Sequence, residues 1–244
     1  MRYAVLGDIH SNLEALEEVL LDLKEKKIDK VFSIGDIVGY GADPSKCIDI
    51  ARERFEFTTL GNHDSALTGG LSLDLFSGMA KDAIIWSQNR VEHNNIEFLS
   101  DLPLIEEYGG MVFAHSSLYS PESFDYPVSS EGIRKNFDIQ DDKRVCFIGH
   151  SHIPAIFMID DISGDIVELQ DKDTMVESKK RYFINTGSVG QPRDGDSRAA
   201  YIYYDDSEGR ISIERVDYDI GKTASKITVT GLPDKLAARL YEGV

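Results

Sequence analysis

Five short polar clusters, each placed directly after an apolar run, constrain this chain more than any other feature. They are Asp8 and His10 in GDIH, Asp36 in GDIVGYG, Asn62 and His63 in GNHD, His115 in FAHS, and His150 and His152 in GHSH. Five of the six histidines fall in them. The runs before them, Arg2 to Leu6, Val31 to Ile34, Phe57 to Leu60, Met111 to Ala114 and Val145 to Ile148, read as short buried strands. In open α/β sheets ligand sites form outside the carboxyl ends of strands, so clusters far apart in sequence can converge there.

Between these runs the periodicity changes. Leu13, Leu16, Val19, Leu20 and Leu23 recur at helical spacing after Ser11, which reads as an N-cap, and a second helix is expected around Ser45 to Arg54. Alternating strand and helix predicts a layered α/β fold. From Ser65 to Leu102 the pattern is mostly helical, and residues 65–110 read as an inserted helical cap. Further strands at Ala155 to Ile159, Ile166 to Leu169, Arg181 to Ile184, Ala199 to Tyr204 and Ile211 to Val216 predict a second sheet packed on the first. Residues 222–244 read as a helical tail, with a terminal helix after Pro233. At 244 residues and 41% hydrophobic, the whole chain fits one domain, 1–244.

With 43 acidic against 26 basic residues the net charge is -17, which argues against general nucleic-acid binding, since that is held by Lys and Arg contacts to phosphates. A small phosphate ester is still compatible, because bound divalent cations reverse the sign of a local site. Cys47 and Cys146 form no C-x-x-C pair and suggest neither a disulfide framework nor a zinc-thiolate site. The opening MRYAVLGDIH is unlike a signal peptide, and no apolar stretch reaches membrane-spanning length, so a cytoplasmic protein without a membrane partner is expected.

The clusters offer two carboxylates, one amide oxygen and four imidazoles as ligands. That mixed N/O set suits manganese, iron, zinc, nickel or cobalt better than calcium, which takes all-oxygen shells. Seven ligands exceed one tetrahedral site; two ions sharing a carboxylate would use them and leave open positions for substrate.

The ordered motifs D-x-H, G-D-x-x-G, G-N-H-D, a separate His and G-H-x-H resemble those of the calcineurin-like metallophosphoesterases, from Arg2 to about Asn185. The resemblance implies a four-layer αββα sandwich of two mixed sheets. It also implies two divalent transition-metal ions, manganese foremost, with iron, zinc, nickel, cobalt or magnesium as alternatives. Asp8, His10 and His152 would hold the first, Asn62, His115 and His150 the second, and Asp36 would bridge them. The implied activity is hydrolysis of phosphate esters, as a phosphatase or a phosphodiesterase, by a metal-bridging hydroxide. His63 would assist the leaving group and Asp64 would orient His63. Asn12 and Arg193 are candidate substrate contacts.

Other readings compete. Asn12 could cap the first helix, Arg193 could pair with Asp194 or Asp196, and His93 reads as a surface residue. Gly187, Ser188 and Gly190 could cradle a phosphate or simply form a turn. A non-catalytic scaffold would keep the fold without its ligands, whereas here all seven and His63 are present. A nuclease would need a basic patch such as Lys179, Lys180 and Arg181 at the cleft. The substrate, expected to be a small phosphate ester, and the choice of monoester or diester lie outside the motifs; a homodimer remains open.

Overall fold

In the computed structural model, which describes residues 1–127 and 129–244, strand and helix alternate through the first half of the chain as expected. The elements run β1 (Arg2–Leu6), α1 (Leu13–Glu25), β2 (Lys30–Ser33), α2 (Pro44–Arg54), β3 (Phe57–Thr58), α3 (Asn62–Thr68), α4 (Gly78–Gln88), α5 (His93–Ser100), β4 (Ile105–Tyr108) and β5 (Met111–Ala114). They continue with α6 (Ser130–Gln140), β6 (Val145–Ile148), β7 (Ala155–Asp160), β8 (Ile166–Leu169), β9 (Asp173–Met175), β10 (Lys180–Asn185), β11 (Ala199–Asp205), β12 (Arg210–Val216), α7 (Ile220–Val229) and α8 (Asp234–Glu242).

The strands form two mixed six-stranded sheets, ordered β3-β2-β1-β11-β12-β9 and β4-β5-β6-β10-β7-β8. In the first, β1, β2 and β3 are parallel and β11 returns antiparallel on β1; in the second, β5, β6 and β10 are parallel. Two-residue periodicity decides what each face buries. Tyr3 and Val5 of β1 meet Met111 and Phe113 of β5 and Val145 and Phe147 of β6 in the layer between the sheets. Their neighbours Ala4 and Leu6 face α1 and α2 on one outer side, while Val112, Ala114, Cys146 and Phe183 face Ile133 and Phe137 of α6 on the other. Phe113 touches both Phe32 and Phe147, with ring centroids 5.0 and 5.2 Å apart, and so joins the two sheets. The result is the four-layer αββα sandwich.

Two local expectations need correction. The first helix is capped by Asn12, not Ser11: Asn12 Oδ1 accepts from the Ala15 amide at 3.2 Å. The segment 65–110 is helical only to Ser100, because Ile105–Tyr108 forms β4, an edge strand of the second sheet. In the helical tail, α7 and α8 close their apolar faces on Ala83 and Trp86 of α4.

Candidate metal centre

The loops after β1 and β2 are laced together by their backbones: the amides of Asp8, His10 and Ser11 donate to the carbonyls of Gly35, Asp36 and Ile37 at 3.1, 2.9 and 2.8 Å. Asp8, His10, Asp36, His150 and His152 all have positive φ. Left-handed backbone at non-glycine residues costs of order 1–3 kcal/mol each and persists only where the surroundings enforce it. Close approach enforces it here. A Cβ on Gly61 would lie 2.2 Å from Asp36 Oδ1, and one on Gly149 would lie 2.4 Å from Asp8 Oδ2.

The loop 187–191 holds the first cluster from behind. Val189 and Gly190 donate their amides to Gly7 and Asp8 carbonyls, and Ser188 Oγ donates to the Asp8 carbonyl at 2.7 Å. Those groups are committed to the β1 loop, so the loop is a support and not a phosphate cradle.

Six of the seven expected donors, joined by His63, converge in three overlapping buried groups: Asp8 with His10 and His152, His10 with Asp36 and His63, and Asp36 with His115 and His150. Second contacts fix the imidazoles. Nδ1 of His10, His115 and His152 lies 2.9, 2.8 and 2.6 Å from the carbonyls of Val38, Ile34 and Gln191. Carbonyls only accept, so each Nδ1 carries the proton and each Nε2 presents a lone pair. Yet His10 Nε2 and His152 Nε2 stand 3.0 Å apart, and His115 Nε2 stands 3.1 Å from Asn62 Oδ1 and 3.2 Å from His150 Nδ1. Asp8 Oδ1, 3.3 Å from His152 Nε2, is buried without a hydrogen-bond partner. Lone pairs facing one another in a buried space call for a shared cation. Two donors about 2.1 Å from one ion lie roughly 3.0–3.5 Å apart, which is the spacing found. Asp36 Oδ2 lies 3.6 Å from His10 Nε2 and 3.5 Å from His115 Nε2, between the two sets.

The electrostatics of the chain alone express the same need. Burial and the facing His115 push His150 down to about 3, and burial with the neighbouring Asp64 and Asp8 pushes Asp36 well above the usual carboxylate range. Burial would also raise Asp8, but the facing histidines, His152 first, hold it at about 2. Burial and nearby histidines keep His10 and His63 well below the ordinary imidazole value, hence neutral at pH 7.

The remaining candidates divide. His63 lines the cleft beside the donors, and its Nδ1 is buried without a partner. Asp64 does not touch it: the carboxylate accepts amides of Ile37, Val38 and Gly61 at 3.3, 3.1 and 3.3 Å, tying the Asp36 loop to the start of α3. Asp64 therefore positions Asp36 and Asn62. Asn12 is absent from the cleft; besides capping α1, its amide donates to the Gly190 carbonyl at 2.8 Å and accepts from Thr223 Oγ1 at 3.1 Å. Arg193 does line the cleft, with its guanidinium 5.6 Å from the Tyr40 ring centre. Asp194 and Asp196 pair instead with Arg215 and Arg198. Lys180 and Arg181 pair with Glu177 and Asp161 at the start of β10, whereas Asn185 at its other end reaches the Gly149 carbonyl beside the site. At about 3.3 Å per residue that strand separates the basic patch from the metal loops by some 16 Å. His93 is exposed, 3.3 Å from Glu97.

Sequence reasoning missed the walls of the cleft, which encloses about 400 Å³. Tyr40 lies against His10 and His63, with ring centroids 4.5 and 4.6 Å away, and Tyr126 stacks on His150 at 4.0 Å. Leu71, Leu75 and Phe76 form an apolar side, and Arg239 of α8 faces in near Arg193. Tyr40 sits inside GDIVGYG, where only Asp36 carries ligand chemistry, and Tyr126 and Arg239 lie outside the motifs with no signal by which to select them.

Comparison with known proteins follows the same lines. Over 244 aligned residues, 98% of this chain and 97% of the relative, the chain is 40% identical to an uncharacterised protein of Methanocaldococcus jannaschii. It superposes on the crystal structure of a metallophosphoesterase from Sphaerobacter thermophilus with TM-score 0.87 and 36% identity, covering 100% of this chain and 99% of the other. A hypothetical protein from Pyrococcus horikoshii has the same fold, with TM-score 0.80 at 19% identity over 100% and 98% of the two chains. Residues 1–154, which carry all five motifs, match the calcineurin-like phosphoesterase family, and the chain belongs to it.

Proposed function

We propose that the chain hydrolyses small phosphate esters at a pair of divalent metal ions, one held by Asp8, His10 and His152 and the other by Asn62, His115 and His150, with Asp36 shared. The observation that carries this reading is the set of buried lone pairs, His10 Nε2 against His152 Nε2 and His115 Nε2 against Asn62 Oδ1, with Asp36 Oδ2 between them. When bound, such ions supply charge for the phosphoryl oxygens and acidify a water at neutral pH. Manganese is the first ion to try, since the N/O set suits several first-row metals.

The chain's own residues do the rest. Arg193, free of carboxylate partners among the described residues and directed into the cleft, binds the phosphoryl group and orients it. His63, neutral and opposite Tyr40, donates a hydrogen bond to the departing oxygen. The apolar side of Leu71 and Phe76, the latter with its ring centroid 5.1 Å from that of His63, excludes water beside it.

The test is hydrolysis of a generic phosphomonoester and phosphodiester with manganese present or chelated. Turnover that requires metal and is lost in Asp36→Asn supports the reading, and the preferred ester assigns phosphatase or phosphodiesterase. Metal-independent turnover, or none on either ester with two ions bound, contradicts it.

A further inference from the structure

Arg193 and Arg239 face the same cleft from different parts of the chain, the loop after β10 and helix α8. Neither has an Asp or Glu side chain within ion-pair distance among the described residues, although the chain carries 43 acidic residues against 26 basic ones. Two guanidiniums on one cleft repel; burial and the charge of Arg193 together hold Arg239 below the ordinary arginine value. Their other hydrogen bonds leave nitrogens spare. Arg193 donates one terminal nitrogen to Tyr40 Oη at 3.3 Å and Gln191 Oε1 at 3.0 Å, and its Nε is buried without a partner. Arg239 spends Nε on a main-chain oxygen of the terminal residue Val244 at 2.6 Å, and its other two nitrogens have no partner among the described residues.

The charge of the cleft exceeds what one phosphate can neutralise. Asp36 is the one carboxylate among its described lining residues and Asp8 stands with the donors behind it, two negative charges against the four of the two divalent ions the donor set would carry and the two of the arginines. A phosphomonoester contributes two negative charges at most, and one arginine suffices to orient it. Resting on the function proposed above, we infer that the physiological substrate is a phosphate ester bearing a second phosphoryl group, an organic bisphosphate or diphosphate, and that Arg239 is the residue that selects for it. Arg193 stands over Tyr40, whose ring packs against His10 and His63 next to the reacting centre. Arg239, on the α8 wall of the same cleft, then meets the phosphoryl group that is not cleaved. Because α8 lies outside residues 1–154, this selection belongs to the C-terminal part of the chain.

The test compares propane-1,3-diol bisphosphate with propyl phosphate, in the wild type, Arg239→Gln and Arg239→Lys. Calorimetric titration of chelator-stripped protein reads binding without turnover, and kcat/KM with manganese reads selection during turnover. The charge-assisted hydrogen bonds that one arginine adds predict that the wild type prefers the bisphosphate by about 10–100-fold in both measurements. The preference should collapse in Arg239→Gln and return in part in Arg239→Lys, with melting temperatures confirming that all three are folded. An equal preference in wild type and Arg239→Gln, or no preference in the wild type, overturns the inference. Discrimination in binding that depends on Arg239, without metal-dependent hydrolysis of either ester, would sink the proposed hydrolysis and leave the two-anion site standing.

Discussion

At the scale of single residues, the centre depends on atoms aimed with little tolerance. Asp36 serves both donor sets with one carboxylate, so Asp36→Asn should reduce manganese affinity by at least about 100-fold and abolish turnover, read by bound metal after gel filtration. His63 makes a different claim. If it assists the leaving oxygen, His63→Ala should retain metal yet lose about 10²–10⁴-fold in kcat on an alkyl phosphate and much less on a nitrophenyl phosphate, whose leaving group needs no help. Equal losses on both esters would assign it to positioning. Gly149 tests the backbone: an added Cβ meets Asp8 Oδ2, so Gly149→Ala should displace that carboxylate and weaken metal binding with the rest of the fold intact. Its effect is visible in metal content before it is visible in the melting curve.

Among the elements, α7 and α8 have no metal ligand and yet close one side of the site. Their anchor is Glu14, buried at the start of α1, which meets Lys222 at 3.1 Å and Lys226 at 2.5 Å; Lys226 also reaches Asp43 at 2.6 Å. Burial alone would raise Glu14, but the two lysines outweigh it and hold its carboxyl below the usual range. A carboxylate with a lowered folded value stabilises the fold above its unfolded value, about 4.3, and loses that contribution as pH falls through the folded value. Glu14→Gln should therefore cost about 1.5–3 kcal/mol at pH 6–8, with the difference from wild type shrinking below about pH 4.5 in urea titrations. A deficit that stays constant to pH 3 would mean that packing and not charge is lost. These elements also mark where the sequence is hard to read. The strands leading to the motifs are short and fully apolar, as MVFA and VCFI show, and they are legible. β4 is IEEY and β9 is DTM, edge strands that bury one face or less and so lack the pattern. Helix α6 is illegible because Ile133 and Phe137 are its only buried apolar side chains, too few to set a period. Asn12 is hard to single out as the cap because Ser11 beside it offers the same chemistry, and Arg239 because one arginine in a polar helix resembles any other.

Across the whole molecule, no described helix is long and apolar enough to cross a membrane, and two sheets share one apolar layer. The candidate donors come from residues 8 to 152, on loops of both sheets, so metal bound there would tie the two halves of the sandwich together. Saturating manganese at about 100 times its dissociation constant should add about 2.7 kcal/mol, raising the melting temperature by about 5–10 °C over the chelated protein. The same rise in Asp36→Asn would place the ions elsewhere.

A two-metal centre is tested most directly by titrating chelator-stripped protein with manganese, following phosphate-ester hydrolysis against equivalents of metal bound per chain. The geometry of the donor set predicts that activity rises to a plateau at two equivalents and that chelation returns it to zero. Full activity at one equivalent, or activity without metal, would contradict a shared Asp36 between two ions.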